Sequence, residues 1–136
     1  MNFLFDNNLP PSWAATFVAA SQRKFPAAWL ADVHHLREKF PAGTPDVFWM
    51  EALEREMPWT IISGDSFRKG QGAERRAIRA YGLSVFVLQA SWAAMPYWAK
   101  LAQFSLWWPR IVELAGTVKG NTVEVPWRLS SGFRTR

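Results

Sequence analysis

The chain has 136 residues, a length that suits one domain with a continuous hydrophobic core. It contains no cysteine, which excludes a disulfide framework, a thiol nucleophile and any zinc or iron–sulfur centre held by thiolates. A net charge of +5 and a pI near 10.1 indicate a polyanionic partner, either a nucleic acid or an acidic protein segment.

The first residues, MNFLFD, have neither the basic start nor the long apolar run of a signal peptide. Elsewhere in the sequence, no uncharged apolar run reaches the length of a membrane span. We therefore expect a soluble protein of the reducing cytoplasm, in agreement with the lack of cysteine.

The first half of the chain alternates short apolar runs with helical patterns. Residues 2–5 predict a buried strand, and the prolines of LPPSWAATFVAASQRK predict the start of a helix. A second strand is predicted around 28–33, followed by a loop, REKFPAGT. Thr44 and Pro45 then resemble the cap and first residue of a helix that Pro58 ends.

The alternation continues in the second half. WTIISGD predicts a strand, SFRKGQG a loop, AERRAIRAYG a helix with Gly82 as its C′ residue, and LSVFVL another buried strand. A long apolar segment then predicts one or two helices interrupted near Pro96 and Pro109, and NTVEVPW an edge strand. This order predicts an α/β fold with a mainly parallel sheet covered on both faces.

The aromatic content leaves two interpretations open. Nine tryptophans and ten phenylalanines fit either a tryptophan-rich core or an exposed aromatic surface for a partner or a second copy. Segment 92–108 is the candidate surface for a homodimer. The basic tail RLSSGFRTR is expected either to be disordered and contact nucleic acid or simply to fray.

Three aspartates are the candidate site. Asp6 and Asp65 each follow a predicted strand, at the sheet edge where α/β proteins collect ligands. Helical spacing places Asp46 in line with the apolar residues that face the sheet, so its side chain should point over the same edge. Three oxygen ligands predict an Mg²⁺ or Mn²⁺ site, and such an ion orients water and stabilises charge on a phosphodiester oxygen.

Each of these residues also has a structural interpretation. Asp6 could cap the helix that starts at the prolines, Asp46 could interact with its helix dipole, and Asp65 could be a turn residue. The basic residues near Asp65 are candidates for binding phosphates; they are Arg68, Lys69, Arg75, Arg76 and Arg79. The three arginines of the following helix could instead form a solvated face. The adjacent histidines, His34 and His35, are predicted to be surface or loop residues, because neighbouring side chains of a strand point to opposite faces.

Several stretches resemble a known family along nearly the whole chain. FLFDNNLPP, HLREKFPAGTPDVFW, WTIISGD, LSVFVL and WWPRIVELA are similar, in the same order, to the compact PIN-like branch that includes VapC-type toxins. The resemblance implies a single PIN-like domain over residues 1–136 with a three-layer α/β/α fold. It also implies a metal-dependent ribonuclease, the toxin of a toxin–antitoxin pair, with Asp6, Asp46 and Asp65 as metal ligands and RNA and an antitoxin as partners.

The chain departs from that pattern at two places. Relatives often read Asp-Glu-Asn where this chain has Asp6, Asn7 and Asn8, and they often carry a further acid where it has Ser66 and Phe67. Fewer anions disfavour a second metal ion. A one-metal nuclease of RNA or DNA, and a degenerate PIN-like module that binds RNA or a protein, both stay open.

Overall fold

The computed structural model describes residues 1–56, 58–64 and 72–136. The strands in these ranges are β1 (Asn2–Phe5), β2 (Asp32–His35), β3 (Trp59–Ser63), β4 (Ser84–Leu88), β5 (Thr122–Val125) and β6 (Arg134–Thr135). The α-helices are α1 (Pro11–Ser21), α2 (Leu36–Lys39), α3 (Asp46–Glu54), α4 (Ala73–Ala80) and α5 (Tyr97–Ala115). Short 3₁₀ turns lie at Ala90–Ala94 and Leu129–Ser131.

The strands of the described ranges form one six-stranded sheet in the order β2-β1-β3-β4-β5-β6. The first five run parallel, and β6 pairs antiparallel with β5. Phe5, the last residue of β1, pairs with His35 on one side and with Ile62 on the other. The carboxyl ends of β1, β2 and β3 therefore lie side by side.

Alternate residues of the strands belong to two separate cores, because successive side chains of a strand point to opposite faces. Phe3 and Phe5 pack with residues of α1 and α5 in one core. Leu4 packs with residues of α3 and α4 in the other. Every residue of β3 and β4 is buried, as expected for strands covered on both faces. The predicted three-layer α/β/α fold is confirmed.

Most of the tryptophans belong to the core. Six of the nine are buried, namely Trp13, Trp49, Trp59, Trp92, Trp107 and Trp108. Phe104 lies at the centre of one aromatic cluster, with ring centroids 5.1 Å from Trp13 and 5.0 Å from Phe17. Tilted and edge-on ring pairs of this kind each stabilise a core by roughly 0.5–1.5 kcal/mol beyond the buried area. The tryptophan-rich core is therefore the correct interpretation for these six residues.

Three predictions in the first half of the chain are wrong. The second strand lies at Asp32–His35 rather than around 28–33, because the backbone first turns, with Trp29 N donating to Pro26 O at 2.9 Å. This shift places His35 in a strand, only 1% exposed, so it is not a surface residue. Thr44 is not the cap of α3, because its Oγ1 donates to Pro41 O at 2.6 Å and Pro45 occupies the N-cap position.

The C-terminal predictions also need correction. Pro109 does not interrupt α5, which continues on both sides of it and buries Trp107, Trp108 and Ile111. Extensive packing offsets the hydrogen bond that a proline removes from a helix interior. β5 is not an edge strand, because β6 covers it.

The basic tail is ordered against this edge. Phe133 contacts Phe86 and Trp107, with ring centroids 5.6 and 4.8 Å away. Arg136 forms an ion pair with Glu124, with 3.4 Å between Nη2 and Oε1. Across the described part of the chain, every helix is too short or too polar to traverse a lipid bilayer.

Candidate functional site

The site begins with the topology of the sheet. The chain places β2 on one side of β1 and β3 on the other, so the strand order reverses at β1. Ligands of open α/β sheets bind beyond the carboxyl ends of the strands at such a switch point. Asp6 follows β1 directly, Ser63 is the last residue of β3, and Gly64 follows it. These residues therefore meet where the fold favours a binding site.

Asp6 accepts hydrogen bonds from the loop after β1 and from the last residue of β3. Asp6 is only 4% exposed. Its Oδ1 accepts from the backbone N–H of Asn7 at 2.6 Å, and its Oδ2 accepts from Ser63 Oγ at 2.7 Å. Such donors offset part of the cost of burying a carboxylate. The N-cap position of α1 is Pro10, so Asp6 does not cap that helix.

The loop that follows Asp6 is fixed to both neighbouring strands. Asn8 Oδ1 accepts from the backbone N–H of Gly64 at 2.9 Å. On the other side, Arg37 Nε donates to Asn7 Oδ1. The loop between β1 and α1 thus bridges the carboxyl ends of β2 and β3.

His35 also holds this loop in place, through a hydrogen bond to Leu9. Its Nε2 lies 2.8 Å from the carbonyl oxygen of Leu9, and its Nδ1 accepts from the backbone N–H of Arg37 at 3.1 Å. A carbonyl accepts and an N–H donates, so the pair of contacts assigns the neutral tautomer with its proton on Nε2. The buried ring joins β2 to the residues that present Asp6.

Asp46 reaches the same edge from the opposite helical layer. It is the first residue of α3, and its Oδ1 accepts from Trp49 Nε1 at 3.1 Å. Trp49, Met50 and Leu53 are all buried, as the helical spacing predicts. The tryptophan therefore orients the carboxylate of Asp46 from inside the core.

The two carboxylates line one pocket of about 250 Å³. Its wall also contains Asn7, Arg37 and the loop before α3. The pocket brings together two acidic groups and one guanidinium, a combination suited to a cation and to a phosphate. Among residues 1–56, 58–64 and 72–136, no group of three His, Cys, Asp or Glu residues could hold a metal ion.

The other predicted site residues are not part of this pocket. Asp65, Arg68 and Lys69 lie outside the described residues. Arg75 and Arg76 are exposed on α4. Arg75 lines a separate pocket of about 240 Å³ together with Arg79 and Arg136.

Three residues of the site were missed in the sequence, namely Arg37, His35 and Ser63. Arg37 lies two residues after the end of β2, a position that places it at the carboxyl edge of the sheet. Because the strand was predicted around 28–33, Arg37 was not expected at that edge. Ser63 was visible as the serine of WTIISGD, one position before the glycine. Nothing in the sequence indicated that this hydroxyl faces Asp6.

The fold and this edge define an α/β/α protein with an acidic pocket at the switch point of a parallel sheet. The family model of the PIN-like domain matches residues 1–90, about two thirds of the chain. The chain therefore belongs to the PIN-like domain family, and it has the nuclease-type fold of that family. No curated protein and no solved structure matches the chain.

Proposed function

We propose that the protein is an Mg²⁺- or Mn²⁺-dependent endoribonuclease of the PIN type. The observation that carries the proposal is the shared pocket of Asp6 and Asp46 at the switch point of the sheet. Family membership supports it, because PIN-like domains are generally nucleases. Oxygen donors are also what these hard cations prefer.

Some residues of the site would hold the metal ion, and others would position those ligands. Asp6 and Asp46 would hold the ion, with Asp65 proposed from the sequence as a third carboxylate. A bound divalent ion supplies activation of water and stabilisation of charge on the phosphate. Ser63 and Trp49 would keep the two carboxylates in position through their hydrogen bonds.

Arg37 would bind the phosphate of the substrate. Its guanidinium is exposed at the rim of the pocket and already donates to Asn7. A guanidinium binds phosphate through paired N–H donors, which makes arginine well suited to this role. We propose that Arg68, Lys69, Arg75 and Arg76 contact the RNA backbone further from the cleaved bond.

We further propose that the whole chain, residues 1–136, is one PIN-like domain acting in the cytoplasm. β5 and β6 lie beyond the matched segment but extend the same sheet, and Val123 and Val125 share a core with Phe3. Residues after 90 would then complete the domain rather than form another.

The resemblance to VapC-type toxins supports a toxin role, with a cognate antitoxin as partner. The net charge of +5 would favour an acidic segment of that partner. A homodimer through α5 is a second proposed assembly, since Trp98 is 75% and Leu106 57% exposed. Light scattering of the wild type and Trp98→Glu would test it, because a dimer through this surface should become a monomer.

The test of the nuclease proposal is cleavage of a defined single-stranded RNA by the purified chain, free of antitoxin. Cleavage should require Mg²⁺ or Mn²⁺, stop in EDTA and be lost in Asp6→Asn. Asp32→Asn is the matched control, because Asp32 lies at the amino end of β2 and should leave cleavage unchanged. A parallel assay with DNA of the same sequence tests the choice of sugar.

A wild-type protein that cleaves neither RNA nor DNA with either metal would overturn the enzyme proposal. The degenerate module that binds RNA or a protein would then be the correct interpretation.

A further inference from the structure

A second pocket lies on the other side of the loop that follows Asp6. It has a volume of about 260 Å³ and is lined by the start of α1, the end of β4, the turn Ala90–Ala94 and the first turn of α5. Its volume is slightly below the ~300–1,000 Å³ typical of drug-sized ligands. The pocket therefore suits a single planar ring system better than a larger molecule.

The two pockets share one dividing wall. Asn8 and Gly64 line the second pocket, whereas Asp6 and Asn7 line the acidic one. The hydrogen bond from Gly64 N to Asn8 Oδ1 fixes this wall. A ligand in the second pocket would therefore sit beside the loop that carries Asp6 and Asn7.

The walls of the second pocket combine three kinds of group. Tyr97 contributes an exposed aromatic ring, Gln89 an amide and Lys100 a cation, and the buried Trp13 and Trp92 line the pocket as well. Aromatic rings stack on nucleobases, amides hydrogen-bond to base edges, and an ammonium group neutralises a phosphate. This set matches the chemistry of a nucleotide.

Trp13 supplies an independent observation. Trp13 is only 1% exposed, and within the described part of the chain its indole Nε1 has no hydrogen-bond partner. Buried indole N–H groups usually have an acceptor. Trp13 also lines the pocket, so its unsatisfied indole belongs to the wall against which a base would pack.

We propose that this pocket binds one nucleobase of the RNA substrate, next to the phosphate at the acidic pocket, with Lys100 on the backbone of the same nucleotide. The inference rests on the proposed ribonuclease function. It makes the second pocket a specificity site, since Gln89 and Asn8 are amides that distinguish one base edge from another.

Nuclear magnetic resonance of the tryptophan indoles tests the pocket directly. Uridine, cytidine, adenosine and guanosine monophosphates would each be titrated into ¹⁵N-labelled full-length protein in EDTA, so that no cleavage occurs. At least one should shift the indole signals of Trp13 and Trp92, whereas those of Trp49 and Trp59, in the opposite core, should stay in place. Four titrations that leave the Trp13 and Trp92 signals unmoved would overturn the inference.

Binding of a short labelled RNA, measured by fluorescence anisotropy in EDTA, provides the second readout. Gln89→Ala and Lys100→Ala should each weaken RNA binding at least about fivefold. Lys119→Ala removes an exposed lysine from the turn between α5 and β5, outside the pocket, and should leave RNA binding unchanged. RNA binding unchanged in both pocket variants would also overturn the inference.

The two proposals fail in different ways. If the base pocket is wrong but the nuclease is right, Gln89→Ala and Lys100→Ala cleave RNA like wild type. If the nuclease is wrong but the pocket is right, wild type cleaves nothing and the nucleotides still move the Trp13 signal.

Discussion

Ser63 Oγ donates a hydrogen bond to Asp6 Oδ2 at 2.7 Å and so joins the carboxyl ends of β3 and β1. Both residues are buried: Ser63 is completely buried, and Asp6 is 4% exposed. A hydrogen bond to a buried carboxylate is stronger than one between neutral groups. The site is therefore built into the two central strands of the sheet rather than attached by a loop alone.

Replacing Ser63 should reveal the strength of this bond. Ser63→Ala is expected to lower the free energy of unfolding by about 1.5–3 kcal/mol, because Asp6 loses a donor while it stays buried. Ser84→Ala is the matched control. That serine is equally buried, but it donates to the neutral Ala115 carbonyl at 3.3 Å, and its loss should cost about 0.5–1.5 kcal/mol. Urea denaturation measures both, and equal losses would contradict the account.

The adjacent histidines offer a second comparison. His35→Ala should destabilise the protein by about 2 kcal/mol or more, because it leaves the buried Leu9 carbonyl without its donor and empties space in the sheet. His34→Ala should cost less than ~1 kcal/mol, since His34 is half-exposed and its contacts with Asp32 and Glu38 are surface pairs. Thermal and urea unfolding would show the difference, and a larger loss for His34→Ala would refute the anchoring role of His35.

The predictability of the fold differs from that of the site for a physical reason. Continuous apolar runs such as WTIIS and SVFVL predict buried parallel strands, and both lie where they were predicted. β2 is only four residues long and Val33 is its one apolar residue, so its apolar signal was weak and its position was missed. Because β2 was misplaced, Arg37 was not predicted to line the acidic pocket.

Long-range contacts explain the remaining differences. Pro109 inside α5 and the ordered tail after Arg128 contradict local propensity, because both depend on packing partners far away in sequence. For the site, strand ends predicted that Asp6 lies at the carboxyl edge, and helical spacing predicted the direction of Asp46. The contacts of Ser63 and His35 depend on strand register, which the sequence alone did not indicate.

Replacing Arg37 should lower the rate of RNA cleavage and leave the stability of the protein unchanged. Arg37→Ala is expected to lower kcat/KM for RNA cleavage about tenfold, because a phosphate loses its paired N–H donors. The His35 contact survives, since it uses the backbone N–H of residue 37. Arg55→Ala, an exposed arginine at the other end of α3, removes the same charge away from the pocket and should leave kcat/KM unchanged. Equal effects of the two substitutions would show that only the net charge matters.

The central claim is that Asp6 and Asp46 together hold a divalent cation, and calorimetric titration with Mn²⁺ tests it most directly. Wild type should bind Mn²⁺, and Asp6→Asn and Asp46→Asn should each weaken that binding at least about tenfold. Asp32→Asn and Glu51→Gln remove carboxylates outside the pocket and should bind Mn²⁺ like wild type. Wild type without measurable Mn²⁺ binding, or Asp6→Asn and Asp46→Asn proteins that bind Mn²⁺ like wild type, would contradict the account.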